Sequence, residues 1–156
     1  MSSRSKLPQY HPNVSDDALA RVVRDLRPLM SNAKWVRLLD ALSAEPDVVV
    51  ECRAKLVWSD ALHPFRIAGA SYRFNYYDDA MESMIAGPSM GWHRYKEIEW
   101  IEFPARAGIL VDENNRKAGP REIEQDLAAI RSRIESVGVL ELRDEPPGLR
   151  LYAYLR

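Results

Sequence analysis

The sequence predicts an α+β domain with two short N-terminal helices, a central antiparallel sheet, one long helix and a C-terminal β-hairpin. Apolar residues recur at spacings of three and four near the start of the chain and again after residue 118. Over residues 47–58 and 149–156, apolar and polar side chains alternate instead. The first pattern is typical of amphipathic helices and the second of half-buried strands. Helices and strands that occur in separate runs define the α+β class.

Two capped helices are predicted before the first strand. The first begins after Ser15, whose side chain can cap it, and ends at about Arg27, because the next residue is proline. The second begins after Ser31 or Asn32 and ends before Pro46. Their apolar stripes are Leu19, Val22, Val23 and Leu26 in the first helix, and Trp35, Leu38, Leu39 and Leu42 in the second.

Strands are predicted over residues 47–58 and about 70–77, with a loop at residues 59–64 between them. In the first strand, Val48, Val50, Cys52, Ala54, Leu56 and Trp58 share one face. In the second strand, Tyr72, Phe74 and Tyr76 alternate with polar residues. Residues 78–86 can form one or two turns of helix, which Gly87 and Pro88 stop.

The last third of the chain predicts a long helix followed by a hairpin. Gly119 and Pro120 are suited to the start of the helix and Gly138 to its end. Its apolar positions are Ile123, Leu127, Ile130, Ile134 and Val137. Residues 139–143 and 149–156 then form the two hairpin strands, in which Leu149, Leu151, Ala153 and Leu155 face the core and Arg150, Tyr152 and Tyr154 face outward.

The segment GWHRYKEIEWIEFPAR, at residues 91–106, changes phase in its second half. Ile98 and Trp100 share one face of a strand, yet Ile101 and Phe103 on the opposite face are apolar as well. We therefore expect a strand that is buried on both faces or that contains a bulge between Trp100 and Ile101. Pro104 ends this strand, since proline cannot donate to a central ladder.

The first half of the same segment is the best candidate for a docking surface. Trp92, His93, Arg94 and Tyr95 combine aromatic and ionisable groups after a turn, and Trp, Tyr and Arg are enriched at the energetically dominant positions of interfaces. The other interpretation is a strand start whose aromatic rings pack over the sheet edge.

Composition bears on partners and on location. Twenty-two Lys and Arg residues against 23 Asp and Glu residues leave a formal net charge of -1, so no global charge favours nucleic acid or an anionic membrane. Cys52 is the only cysteine in the 156 residues, which excludes an internal disulfide and fits a reducing compartment. No apolar run approaches the roughly 20 residues of a membrane-spanning helix, and no secretion signal is recognisable. We expect a cytoplasmic protein with a flexible leader over residues 1–14 and a single domain over residues 15–156.

The sequence contains no recognisable catalytic or metal-binding motif. None of His11, His63 and His93 has a second histidine or cysteine at a metal-site spacing, and no motif for a serine nucleophile, a phosphate loop or a dinucleotide occurs. Cys52 lies in the apolar phase of its strand, which predicts a buried and inert thiol. We expect no cofactor and no metal, and the sequence favours a protein that is not an enzyme.

Three segments together resemble an uncharacterised bacterial family, a domain of unknown function. They are LMSNAKWVRLLDAL, YKEIEWIEFPAR and the terminal GLRLYAYLR. Trp35, Trp100 and Tyr154 match the aromatic positions of the family, whereas Ser31, Ala33 and Ala153 depart from its pattern. The resemblance covers about residues 29–156, and it implies a bacterial origin and no catalytic residues.

Three functions remain open at this point. The first is a non-enzymatic protein-binding domain, with an immunity or antitoxin-like protein that blocks a toxin as its specific form. Its predicted partner-binding residues are Tyr76, Tyr77, Asp78, Asp79, Trp92, His93, Arg94 and Tyr95. The alternative is a small enzyme or ligand-binding domain with a pocket near His93, Tyr95 and Glu97. The third is a homo-oligomer assembled through an edge of the C-terminal hairpin.

Overall fold

The computed structural model describes residues 15–45, 47–67, 79–82, 85, 92–110 and 120–156, and it confirms an α+β fold. Within these ranges three α-helices accompany short strands, and every strand pair is antiparallel. The helices are α1 (Asp16–Val23), α2 (Asn32–Ser43) and α3 (Leu127–Glu135). The strands are β1 (Arg27–Pro28), β2 (Arg53–Leu56), β3 (Leu62–Pro64), β4 (Ala80–Glu82), β5 (Trp92–Arg94), β6 (Ile98–Pro104), β7 (Arg106–Leu110), β8 (Pro120–Glu124), β9 (Leu142–Glu145), β10 (Gly148–Tyr152) and β11 (Tyr154–Leu155).

Both N-terminal helices begin where their serine caps predict. The Ser15 hydroxyl accepts a hydrogen bond from the Ala18 amide at 3.2 Å, and the Ser31 hydroxyl accepts one from the Lys34 amide at 3.1 Å. Helix α1 is shorter than predicted and ends at Val23. The chain then forms the two-residue strand β1, which pairs with β11. Of the predicted stripes, that of α2 is fully buried, whereas Val22 of α1 is exposed.

A five-stranded sheet in the order β3-β2-β6-β10-β9 forms the centre of the fold. Strand β6 is the middle strand, and all seven of its residues are buried, which confirms burial on both faces. Its register with β2 also shifts, since Lys55 lies opposite Trp100 and Leu56 opposite Ile98. The irregularity therefore falls at the intervening Glu99 and not between Trp100 and Ile101, as the sequence suggested.

The two faces of this sheet differ in chemistry. One face joins helices α2 and α3 in the hydrophobic core, through residues such as Ala54, Ile101, Leu149 and Leu151. The opposite face carries alternating positions of β2, β6, β10 and β9, and we call it the charged sheet face. Its residues are Arg53, Lys55, Trp100, Glu102, Arg150, Tyr152, Arg143 and Glu145.

The first predicted strand was too long. Only Arg53–Leu56 is extended within a ladder, because the amides of Val50 and Glu51 donate to the Gln125 side-chain oxygen at 2.7 and 2.9 Å instead of to a neighbouring strand. The side-chain nitrogen of Gln125, Nε2, donates in turn to the backbone carbonyls of Glu51 and Pro104. Val50 consequently points outward and is exposed.

Two further predictions between residues 59 and 86 were wrong. The expected loop contains β3, whose Leu62 and His63 lie opposite Lys55 and Ala54 of β2. The expected helical turns contain β4, which pairs with β5. A turn separates β3 from its partner β2, and β4 is distant in sequence from its partner β5. Local propensity reports neither pairing. The strand predicted at 70–77 lies outside the described residues.

The long helix begins later than predicted. Pro120–Glu124 forms β8, paired with β7 across its whole length, and Asp126 caps α3 by accepting from the Ala129 amide at 3.0 Å. Ile123 therefore belongs to a strand, whereas Ile130 and Ile134 enter the core as predicted.

The C-terminal hairpin is present, but its last strand leaves the sheet. Strands β9 and β10 pair as neighbours, with Leu149 and Leu151 buried as predicted. After Ala153 the chain joins β1, so the alternation is broken. Tyr154 is buried and not outward-facing, and its hydroxyl donates to the Lys96 carbonyl at 2.9 Å.

Candidate functional site

The predicted docking segment lies inside the protein. Strand β5 runs into one turn of 3-10 helix, Tyr95–Glu97, before β6 begins. His93, Tyr95 and Glu97 have no exposed surface, and Arg94 is 3% exposed. Antiparallel pairing with β4 covers this segment, since Met81 lies opposite His93 and Ala80 opposite Arg94.

Glu97 is a buried carboxylate held by donors from two directions. One of its oxygens accepts from the Trp58 indole nitrogen at 2.8 Å, and the other accepts from the Arg94 amide at 2.7 Å. The Arg94 Nε atom lies 3.5 Å from the second oxygen. The 3-10 turn makes this possible, because it folds Glu97 back towards Arg94 where an extended strand would separate them.

The side chains of His93 and Tyr95 are buried, and their polar atoms make no hydrogen bond to the described residues. Neither ring nitrogen of His93 and not the hydroxyl of Tyr95 has a partner within the described part of the chain. Burial lowers the pKa of His93, although Glu97 opposes this effect and His63 adds to it. Burial raises the pKa of Tyr95, and the carboxylates of Asp40 and Asp79 raise it further. The Tyr95 ring is stacked on Trp35 with centroids 6.4 Å apart.

A groove of about 340 Å³ adjoins this buried segment, and we call it the Arg94 groove. Arg94 contacts the Asp16 carboxylate across it. Helix α1 supplies one wall and the β5 end of the 3-10 turn supplies the other. The lining residues are Asp16, Leu19, Ala20, Val23, Asp79, Arg94 and Lys96.

A second groove of about 490 Å³ lies between the end of α2 and the start of α3, and we call it the acidic groove. Glu45, Asp47 and Asp126 line it, together with the apolar side chains of Val48 and Val50. Two alanines complete the lining, Ala44 and Ala129. No cationic side chain is among these residues, although Arg133 pairs with Glu45 from outside the groove.

On the charged sheet face, Arg150 connects four neighbours. Its guanidinium donates to Glu102 at 3.0 Å, pairs with Glu145 at 3.0 Å and lies 3.8 Å above the centre of the Trp100 ring. It also donates to the Tyr152 hydroxyl at 3.3 Å. These contacts use both terminal nitrogens of the guanidinium, whereas its Nε atom has no hydrogen-bond partner among the described residues.

The structure describes the side chains of four of the eight residues that the sequence predicted to bind a partner, namely Asp79, His93, Arg94 and Tyr95. His93, Arg94 and Tyr95 are buried, so their side chains offer almost no surface, and their partner contacts stay a prediction. Asp79 lines the Arg94 groove. Trp92 lies in β5, but its side chain, like all of Tyr76, Tyr77 and Asp78, lies outside the described residues.

No cluster of three or more His, Cys, Asp or Glu side chains in the described ranges could hold a metal ion. No helix among the residues described is long and apolar enough to cross a membrane. The Cys52 thiol is buried, and burial raises its pKa.

Neither groove was found from the sequence. Asp16 and Lys96 are distant in the sequence, so only the folded chain places them in one groove. Asp47 and Asp126 are distant in the sequence, so only the packing of α2 against α3 brings them together. No protein-family model, curated protein or solved structure matches this chain.

Proposed function

We propose that the chain is a non-enzymatic bacterial protein-binding domain of the immunity or antitoxin type, and that the acidic groove receives a basic segment of a toxin partner. The observation that carries this proposal is the combination of three carboxylates with an accessible apolar wall. Glu45, Asp47 and Asp126 supply the charge. Val50 is 41% exposed, so its apolar side chain is accessible to a partner.

The chemistry of the groove defines the segment that fits it. Carboxylates without a cation among the lining residues attract Lys or Arg side chains and speed the encounter with a basic partner. Val48 and Val50 would cover an apolar side chain of the same segment, and each buried square ångström of apolar surface contributes about 25 cal/mol. A basic segment with at least one apolar residue therefore satisfies both parts of the surface.

Charge reversal in the acidic groove tests this function. Asp47→Lys replaces an exposed carboxylate of the groove, and Val50→Asp removes part of the apolar wall. Glu135→Lys is the matched control, because it makes the same change in net charge at an exposed position of α3 that does not line the groove. We expect wild type and the control to capture one basic protein from the source bacterium, and both groove variants to lose it. Equal capture by all four proteins would place the interface elsewhere.

The second candidate function is a small-ligand-binding domain with its pocket beside His93, Tyr95 and Glu97. It is favoured by the three buried polar atoms of His93 and Tyr95 that lack partners in the described chain, because such atoms are rare without a functional reason. They lie in the segment that borders the Arg94 groove. A thermal-shift screen of metabolites tests it, since a ligand that binds only the folded state raises the melting temperature.

Several broader points belong to the same proposal. We propose that the chain belongs to the uncharacterised bacterial family that its three aromatic motifs resemble, and that residues 15–156 fold as one domain in the cytoplasm. A homo-oligomer through the edge strand β9 is the third alternative. Light scattering that gives one monomeric mass at all concentrations would exclude it.

A further inference from the structure

We infer that the Arg94 groove binds a small zwitterion, namely an α-amino acid with an aliphatic side chain. This inference rests on the second function proposed above and names the ligand class for it. The groove offers three features at once: cations, carboxylates and an apolar wall. A free amino acid presents the complement of each one.

The ligand carboxylate is assigned to Arg94. Arg94 lines the groove although its side chain is only 4% exposed, and its Nε atom lies 3.5 Å from Glu97, whose side chain has no exposed surface. A guanidinium fixed in this way is prepared for charge-assisted hydrogen bonds to a carboxylate. Lys96 also lines the groove, is exposed and adds a second positive charge.

Asp16 now occupies the position that the ligand carboxylate would take. Its side chain is 92% exposed and yet contacts Arg94 Nη1. Exposed carboxylates in ion pairs contribute little stability, typically less than a factor of about five in an equilibrium constant. A carboxylate of a bound ligand can therefore replace Asp16 without unfolding α1, whose anchor in the core is the buried Leu19.

The ammonium and the side chain of the ligand are assigned to the other walls. The carbonyl of Asp79 accepts from the Tyr95 amide at 3.0 Å, so Asp79 is fixed beside the 3-10 turn, and this residue lines the groove. Leu19, Ala20 and Val23 form the apolar wall. A volume of about 340 Å³ is at the lower end of the roughly 300–1,000 Å³ of known ligand sites, which favours a small occupant.

Isothermal titration calorimetry with L-leucine as the probe tests the inference. Two analogues each keep only one charged group of leucine: 4-methylpentanoate lacks the ammonium, and 3-methylbutylamine lacks the carboxylate. We expect L-leucine to bind and each analogue to bind at least about tenfold more weakly, since each loses one charge-assisted contact. Asp16→Asn is expected to tighten leucine binding about two- to fivefold by removing the internal competitor.

Two further variants complete the experiment. Lys96→Gln is expected to weaken leucine binding several-fold, whereas Arg21→Gln, which changes an exposed cation of α1 outside the groove, leaves it unchanged. Absence of leucine binding in both wild type and Asp16→Asn overturns the inference, as does binding that neither Asp16→Asn nor Lys96→Gln alters. If leucine is inert while another metabolite raises the melting temperature, the amino-acid assignment fails and the ligand-binding function stands. If no metabolite raises it, that function fails too.

Discussion

The guanidinium of Arg150 lies 3.8 Å above the centre of the Trp100 ring, on the charged sheet face. From this position it donates to Glu102, a carboxylate whose side chain is 2% exposed. Arg53 approaches the same carboxylate from the other side at 3.4 Å. On the charged sheet face, two arginines thus pair with one buried carboxylate, and one of them also lies over an aromatic ring.

Replacing Arg150 is predicted to destabilise the protein more than replacing an exposed arginine. Arg150→Met keeps the length of the side chain but leaves Glu102 with Arg53 as its remaining cation, so we expect the free energy of unfolding to fall by about 1–3 kcal/mol. Arg131→Met is the control, because Arg131 pairs with an exposed carboxylate, Asp144, and such pairs contribute less than about 1 kcal/mol. Urea unfolding measures both. Equal losses would contradict the role assigned to Glu102.

Two tyrosine-to-phenylalanine changes are predicted to act in opposite directions. Tyr154→Phe removes the hydrogen bond to the Lys96 carbonyl and is expected to cost about 0.5–1.5 kcal/mol. Tyr95→Phe removes a buried hydroxyl without a partner in the described chain, so the free energy of unfolding should stay constant or rise. Urea midpoints at constant slope decide between them. A loss of stability in Tyr95→Phe as large as that in Tyr154→Phe would show that the Tyr95 hydroxyl is satisfied.

Stability is predicted to fall on mild acidification because of His93. Burial holds its pKa in the folded chain below the ordinary 6.5, so the unfolded chain binds more protons once the pH drops under about 6.5. Above about pH 6.5, His93 is neutral in both the folded and the unfolded chain, so it does not make the free energy of unfolding depend on pH. Below that pH, His93 lowers the free energy of unfolding by at most about 1.4 kcal/mol per pH unit.

The His93→Leu variant checks this pH dependence. The variant should lose the pH dependence of the free energy of unfolding between pH 6.5 and 5.5. His63→Gln keeps His93 and should retain most of this dependence, because burial is the largest cause of the lowered His93 pKa and His63 a smaller one. Unfolding curves at several pH values give the comparison. Identical slopes in His93→Leu and wild type would mean that His93 does not titrate differently on folding. Glu99 acts only at lower pH: burial raises its pKa, but hydrogen bonds from Arg156 and Lys55 outweigh this and lower it below 4.5.

Cys52 is predicted to be unreactive until the protein unfolds. The residue is 3% exposed, and burial raises the pKa of its thiol, so the reactive thiolate is scarce. Ellman's reagent should modify it slowly in buffer at pH 8 and rapidly in urea above the unfolding midpoint. Modification in buffer at the rate of a small free thiol would contradict the buried position.

The parts of the fold that local chemistry determines were predictable from the sequence. Serine caps at Ser15 and Ser31 predicted both helix starts, because a cap acts within four residues of its own position. The two-sided burial of β6 was equally visible, since apolar residues occupy both phases around Trp100 and Ile101. The α+β class followed from these periods.

The remaining errors come from contacts between distant residues. The amides of residues 50 and 51 bond to the Gln125 side chain and not to a neighbouring strand. Pro120–Glu124 pairs with β7 as a strand, although the sequence predicted a helix there. Tyr154 turns inward because the last strand joins β1. No local pattern reports such pairings, since propensity is overridden where tertiary contacts supply the hydrogen bonds.

The candidate site was harder to predict for a related reason. His93, Arg94 and Tyr95 have a composition that suits an exposed interface, but all three are buried. The Arg94 side chain pairs with Glu97, and the Tyr95 ring is stacked on Trp35. The acidic groove joins residues from the end of α2 and the start of α3, which only the folded chain brings together.

The most direct test of the proposed function is the affinity of the purified protein for the basic partner that it captures, measured by calorimetry for wild type, Asp47→Lys and Glu135→Lys. The lysine in Asp47→Lys would face a cation of the basic partner, and two like charges in contact cost several kcal/mol. We therefore expect Asp47→Lys to bind about a hundredfold more weakly, with Glu135→Lys close to wild type. Equal affinities for the three folded proteins would contradict the assignment of the acidic groove as the docking site.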